Sequence, residues 1–144
     1  VQLNQATDYA FRVVLYLACW PGSVVSGQVI AEQQHIPPQF LQKIMRSLTK
    51  AGLVRSYRGS EGGFVLLRPA ETITMLDVIE AMEGSICLNR CLAEQNNCSR
   101  CCSDICTVHR ALGKIQAQFL LSLSQVNFAE LARNSEGEVE KKYG

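Results

Sequence analysis

From Thr7 to Cys19 apolar residues dominate, with Tyr9, Val13, Tyr16 and Leu17 on one side of a predicted helix and Ala10 and Val14 beside them. Pro21-Gly22 closes it. Ser26 is a natural N-cap for a short helix that carries Val29, Ile30 and Ala31 and ends near Gln34. After Ile36, Pro37-Pro38 opens the next helix, since a proline in the first turn gives up an N–H that has no helical partner there. This helix sets Leu41, Ile44, Met45 and Leu48 at i, i+3, i+4 and i+7, with Gly52 where a left-handed C-cap belongs. A short helix, a tight turn and an amphipathic helix form a helix-turn-helix pattern.

The period then changes from helical to alternating. Leu53 to Tyr57 reads as a strand, Arg58 to Gly63 as a glycine-rich turn, and Phe64 to Leu67 as the returning strand, which together make a hairpin or wing. Thr74 and Asp77 offer a capping box to a helix bearing Leu76, Val78, Ile79 and Met82, which Gly84 ends. Beyond a cysteine-rich stretch, Val108, Ala111, Leu112, Ile115, Phe119, Ser122 and Leu123 repeat at helical spacing. A helix of about 20 residues there makes a rod of roughly 30 Å, and an apolar stripe on such a rod needs a partner. The predicted class is mainly α with a small β-hairpin. Residues 1–84 form the winged helix-turn-helix unit, 85–107 the cysteine-rich loop, 108–134 a dimerisation helix and C-terminal segment, and 135–144 a polar tail expected to lack fixed structure.

Composition adds limits. The 144 residues are 47% hydrophobic and 19% charged, as in a globular protein. No stretch approaches the roughly 18 apolar residues of a membrane span. The opening residues do not form a secretory signal, so the expected location is the cytoplasm. Net charge is only +1, but its distribution is uneven. Lys43, Arg46, Lys50, Arg55, Arg58 and Arg68 face a single acid, Glu61, over that stretch, whereas Glu71 to Glu83 carries acids and no base. With the apolar side of the Pro38 helix turned inward, Gln39, Gln42, Lys43 and Arg46 project from the other side. These residue types suit adenine and guanine edges or phosphates in a major groove. Arg55, Tyr57 and Arg58 on the wing can meet phosphate or a minor groove, and Gly59, Gly62 and Gly63 let its backbone approach a duplex. Double-stranded DNA is therefore the expected partner.

Six of the seven cysteines (Cys87, Cys91, Cys98, Cys101, Cys102 and Cys106) crowd into twenty residues, and the total is odd. A disulfide framework would spread its staples through the fold, so clustered thiols in a reducing compartment read as metal or cluster ligands. Cys91-x6-Cys98-x7-Cys106-x2-His109 supplies three thiolates and an imidazole, a soft donor set for zinc or an iron-sulfur cluster. Cys19 lies in an apolar helix and reads as a core residue. His35 falls at the helix-turn-helix turn, where a surface or DNA-backbone role fits it better than metal binding.

Taken together, Leu3-x3-Thr7-Asp8-Tyr9-Ala10-x-Arg12, Ile36-Pro37-x2-Phe40-Leu41-x3-Met45-x2-Leu48-x2-Ala51-Gly52-Leu53-Val54, Arg58-Gly59-x2-Gly62-Gly63-Phe64 and the cysteines downstream resemble the IscR/NsrR family of winged-helix iron-sulfur regulators, IscR most closely. The resemblance spans about residues 1 to 132. It implies a homodimeric repressor whose cluster is held by Cys91, Cys98 and Cys106, is delivered by the iron-sulfur assembly machinery, and is absent from an apo form. It leaves the fourth ligand open between His109, with a 2Fe-2S cluster, and Asp8 of the other subunit, with a 4Fe-4S cluster. The chain departs from the family in a longer Cys98-to-Cys106 spacing. Cys101 and Cys102 lie inside that span as possible substitute ligands, and Cys87 is a further extra thiol.

The resemblance to IscR implies control of iron-sulfur biogenesis genes, and the NsrR-like alternative is a nitric-oxide sensor. A zinc-stapled module and a metal-free thiol redox switch are rivals drawn from the cysteines alone. An enzyme is not expected, because no Ser/His/Asp order, phosphate loop or paired carboxylates occur.

Overall fold

The computed structural model describes residues 2–93 and 105–143, with side chains described as far as residue 135. Helix α1 (Gln5–Cys19) begins two residues earlier than its apolar pattern predicts, because Asn4 caps it by accepting from the Thr7 N–H. Helix α2 (Gly27–Gln34) is capped by Ser26 as expected. It stops at His35, which takes a left-handed conformation (φ 53°) uncommon for a side-chain-bearing residue. Helix α3 (Pro38–Lys50) follows, and Leu41, Ile44, Met45 and Leu48 all reach the core.

Strands β1 (Val54–Tyr57) and β2 (Gly63–Leu66) pair antiparallel, with Arg55 opposite Val65 and Tyr57 opposite Gly63. The wing is docked on its other edge as well. Val25 exchanges backbone hydrogen bonds with Phe64, at 2.9 and 2.8 Å. A Cβ on Gly63 would run into the Val25 carbonyl, and one on Gly62 would run into the Tyr57 carbonyl. The bare backbone at Gly62 and Gly63 is thus required by the hairpin's own closure and docking, before any duplex approaches.

A 3-10 turn (Ala70–Thr72) leads to α4 (Met75–Glu83), whose Thr74/Asp77 capping box forms as predicted and whose C-cap is Gly84 (φ 77°). Within the segment expected to be loop, Arg90–Ala93 forms a short helix, α5. Helix α6 (Thr107–Gln125) is the expected rod. Helix α7 (Phe128–Tyr143) is a correction to the sequence reading, since its backbone stays helical through the tail expected to be unstructured. The physical reason lies in composition: the Glu and Lys residues of the tail favour helix even without an apolar face, and Asn127 caps the start by accepting from the Glu130 N–H at 2.9 Å.

One core joins α1 to α4, the hairpin and α7. Ala10, Val13, Val14 and Leu17 of α1 meet Ile30, Leu41, Ile44, Leu48, Leu53 and Val78, and Phe128 and Ala132 of α7 join them. Residues 1–84 therefore do not close their own core. The chain returns after α6 to finish it, pairing Met75 N–H with Val126 O and Phe128 N–H with Ile73 O, each at 3.0 Å.

Candidate nucleic-acid interface and cysteine site

The outward side of α3 carries Gln39, Gln42, Lys43 and Arg46, all exposed, while the opposite side of the same helix is buried. None of the four has a hydrogen bond or ion pair among the described residues. Such a surface suits docking into a groove of width matched to a helix. Beside it, Arg55, Tyr57 and Arg58 stand exposed on the wing. Arg55 lies over the Tyr57 ring, 5.1 Å from its centroid, so its guanidinium is held on the solvent face of the hairpin. Gly62 donates its N–H to Gly59 O at 3.0 Å and tightens the tip.

Arg68, grouped by sequence with the basic stripe, is committed elsewhere. Its guanidinium donates to Thr72 O and to Asp77, at 2.9 and 3.1 Å, bracing the start of α4. His35 is exposed at the turn between α2 and α3. Sequence reasoning missed Phe40, a large aromatic left 47% exposed in the first turn of α3. A Phe placed among the polar residues of this turn, off the Leu41/Ile44/Met45/Leu48 stripe, was the signal that could have revealed it.

The cysteine site gathers at the start of α6. The Cys106 side chain caps that helix, accepting from the His109 N–H at 3.5 Å. His109 turns its Nδ1 toward Cys91 Sγ on α5, at 3.2 Å. Two of the three predicted cysteines and the predicted histidine thus lie together, half-buried. Cys98, Cys101 and Cys102 lie outside the described residues. Among the described residues, no three His, Cys, Asp or Glu groups are placed to hold a metal ion. The donor atoms that do meet, the Cys91 thiol and the His109 imidazole, with the Cys106 thiol on the backbone of the same helix turn, are of the types that suit an iron-sulfur cluster.

Asp8 is occupied within its own chain, where it accepts from Arg12 at 2.7 Å on the exposed side of α1. Cys87 is exposed and lines a cleft of about 240 Å³ with Leu3, Ile79, Glu83 and Phe119. Cys19 packs at the edge of the core, its Sγ 3.6 Å from Ser135 Oγ. Helix α6 has no buried residue: Val108, Ile115 and Leu121 are 62%, 54% and 58% exposed. No helix among the described residues is long and apolar enough to cross a membrane.

Residues 3–134 match the Rrf2 family, described as iron-dependent transcriptional regulator. An HTH-type transcriptional regulator of Aquifex aeolicus is 34% identical over 115 residues, 80% of this chain and 80% of that one. Protein aau3 of Rhizobium meliloti is 33% identical over 134 residues, covering 92% of this chain and 86% of its own. Among solved structures, IscR of T. potens shares the fold with a TM-score of 0.74 at 24% identity, over 96% of this chain and 90% of that one. The oxidized form of CymR from Staphylococcus aureus has a TM-score of 0.69 at 25% identity, over 92% and 96%.

Proposed function

The chain belongs to the Rrf2 family of helix-turn-helix transcriptional regulators, and from that premise we propose that it is a homodimeric repressor reporting the state of an iron-sulfur cluster to an operator. It is a DNA-binding regulator and not an enzyme. In the proposed reading, Gln39, Gln42, Lys43 and Arg46 meet base edges and phosphates of double-stranded DNA. Arg55, Tyr57, Arg58 and the Gly62 backbone hold the flanking strand. Cys91, Cys98, Cys106 and His109 hold a 2Fe-2S cluster received from the assembly machinery, and the genes controlled are those of cluster biogenesis.

The observation that carries this reading is the meeting of Cys91 Sγ and His109 Nδ1 at 3.2 Å, with Cys106 capping the same helix turn. It favours His109 over Asp8, whose carboxylate is paired with Arg12 on α1. When bound, the cluster supplies sensitivity to iron supply or nitric oxide. This chain's own contribution is mechanical: one ligand rides on α5 and two on the first turn of α6, so filling the site fixes α5 against the rod. A shift of the rod changes the spacing of two recognition helices, for which half-sites about 34 Å apart leave little tolerance. A coupling of 1–3 kcal/mol corresponds to roughly 5- to 150-fold regulation.

Anaerobic purification with iron and sulfide analysis, visible spectra and EPR tests the ligand set. Cys91→Ala, Cys106→Ala and His109→Ala are expected to lose the cluster, whereas Asp8→Ala keeps it. A full cluster in His109→Ala together with its loss in Asp8→Ala moves the reading to the 4Fe-4S, NsrR-like arrangement. A colourless protein containing zinc, or one that binds DNA according to thiol oxidation alone, replaces it with the zinc or thiol module.

A further inference from the structure

The geometry points to Phe40 as a reader of thymine, contacting the C5-methyl group of one base in each half-site. This inference rests on the reading of α3 as the DNA-contacting helix. Phe40 stands in the first turn of α3, in the N-terminal part of the helix from which recognition helices reach base edges. Its neighbour Leu41 is buried, yet Phe40 leaves about half of its surface in water (47%). An apolar ring left in water gains free energy when something apolar covers it.

The ring is also held in place. Tyr9 of α1 packs against it edge-on, with centroids 6.3 Å apart and planes at 64°. Tyr9 is in turn fixed by Gln5, which donates to its hydroxyl at 3.0 Å, and by the Arg12 guanidinium 5.3 Å from its ring centroid. A braced aromatic loses little side-chain freedom on binding, so most of its contact energy is kept. Gln39 beside it and Lys43 one turn on are exposed and polar, suited to the hydrogen-bonding edges of neighbouring bases. In a major groove the apolar feature that distinguishes one base from the others is the thymine methyl. Phe40 complements that group, and its polar neighbours do not.

The test uses duplexes enriched by the intact protein from a random pool, with each thymine replaced in turn by deoxyuridine, which lacks only the methyl. One thymine per half-site should lose about four-fold in affinity on replacement, the cost of one buried methyl-sized group. Phe40→Ala should bind the thymine and deoxyuridine duplexes equally. A 5-iodo-deoxyuridine at that position should photocrosslink to Phe40 of the unmodified protein, a readout independent of how the variant folds. The proposal is overturned if no thymine shows methyl dependence, if the dependence survives in Phe40→Ala, or if the crosslink falls on another residue. If no duplex is enriched, or Arg46→Ala binds as well as the parent, the reading of α3 itself falls and this inference with it.

Discussion

Thr7 is a polar side chain sealed inside the protein, with none of its surface in water. Its hydroxyl lies 2.7 Å from Glu83 Oε2 and 3.0 Å from Asn4 Oδ1, so one oxygen ties the start of α1 to the end of α4, just ahead of the cysteine segment. Gly63 is, like Gly62, a residue whose identity the surroundings dictate. Gly63→Ala is expected to destabilise the protein by about 1–3 kcal/mol through overpacking against Val25, which a denaturant titration measures. Because the same strain pulls the wing from its seat, DNA affinity should fall along with stability. At this scale much was legible beforehand: Ser26, Thr74 and Gly52 are local signals that act through their own neighbours in sequence. The Thr7–Glu83 bond was not, because nothing near position 7 indicates what lies 76 residues away.

Among the elements, α3 and α6 show opposite uses of an apolar stripe. In α3 the stripe is spent inside the subunit, leaving the polar side to the solvent. In α6 it stays outside, on Val108, Ile115 and Phe119. A second copy of the chain is the partner proposed for that side. Ile115→Glu should therefore convert the protein to a monomer in sedimentation velocity while its helical circular dichroism persists, because Ile115 leaves more than half of its surface in water within the subunit. DNA affinity should drop together with the dimer. Helix α6 was readable from its period, and α7 was not. The polar sequence after Ser135 carries no amphipathic signal strong enough to outweigh its charge, although Asn127-x-x-Glu130 is a helix-start signature that reasoning from the residues alone overlooked.

For the whole molecule, the basic residues of two subunits are expected to neutralise about six phosphates, so affinity should fall about a thousand-fold between 50 and 200 mM salt. Operator binding that ignores salt over this range would contradict the proposed interface. The site itself was only partly foreseen. Spacing singled out Cys91, Cys106 and His109 as candidates, but not that Cys91 would ride on its own helix, since α5 has a single turn and packs against α6. Phe128, fully buried among residues of α1 and α4, links the far end of the chain to the DNA-binding head. Phe128→Ala should cost about 3–5 kcal/mol, and the loss should appear as one cooperative melt of the head and not as fraying of the C-terminus.

The backbone pairing of Val126 and Phe128 with Met75 and Ile73 means that the rod is moored at its far end as well as at its cysteine end. It works like the bail of a bucket, hinged at two points on the same vessel. A strut free at one end could absorb a tug from the cysteines by flapping. Under the proposed reading, a displacement of the cysteine end is passed through the Val126 and Phe128 bonds to Met75 and Ile73 at the entry to α4.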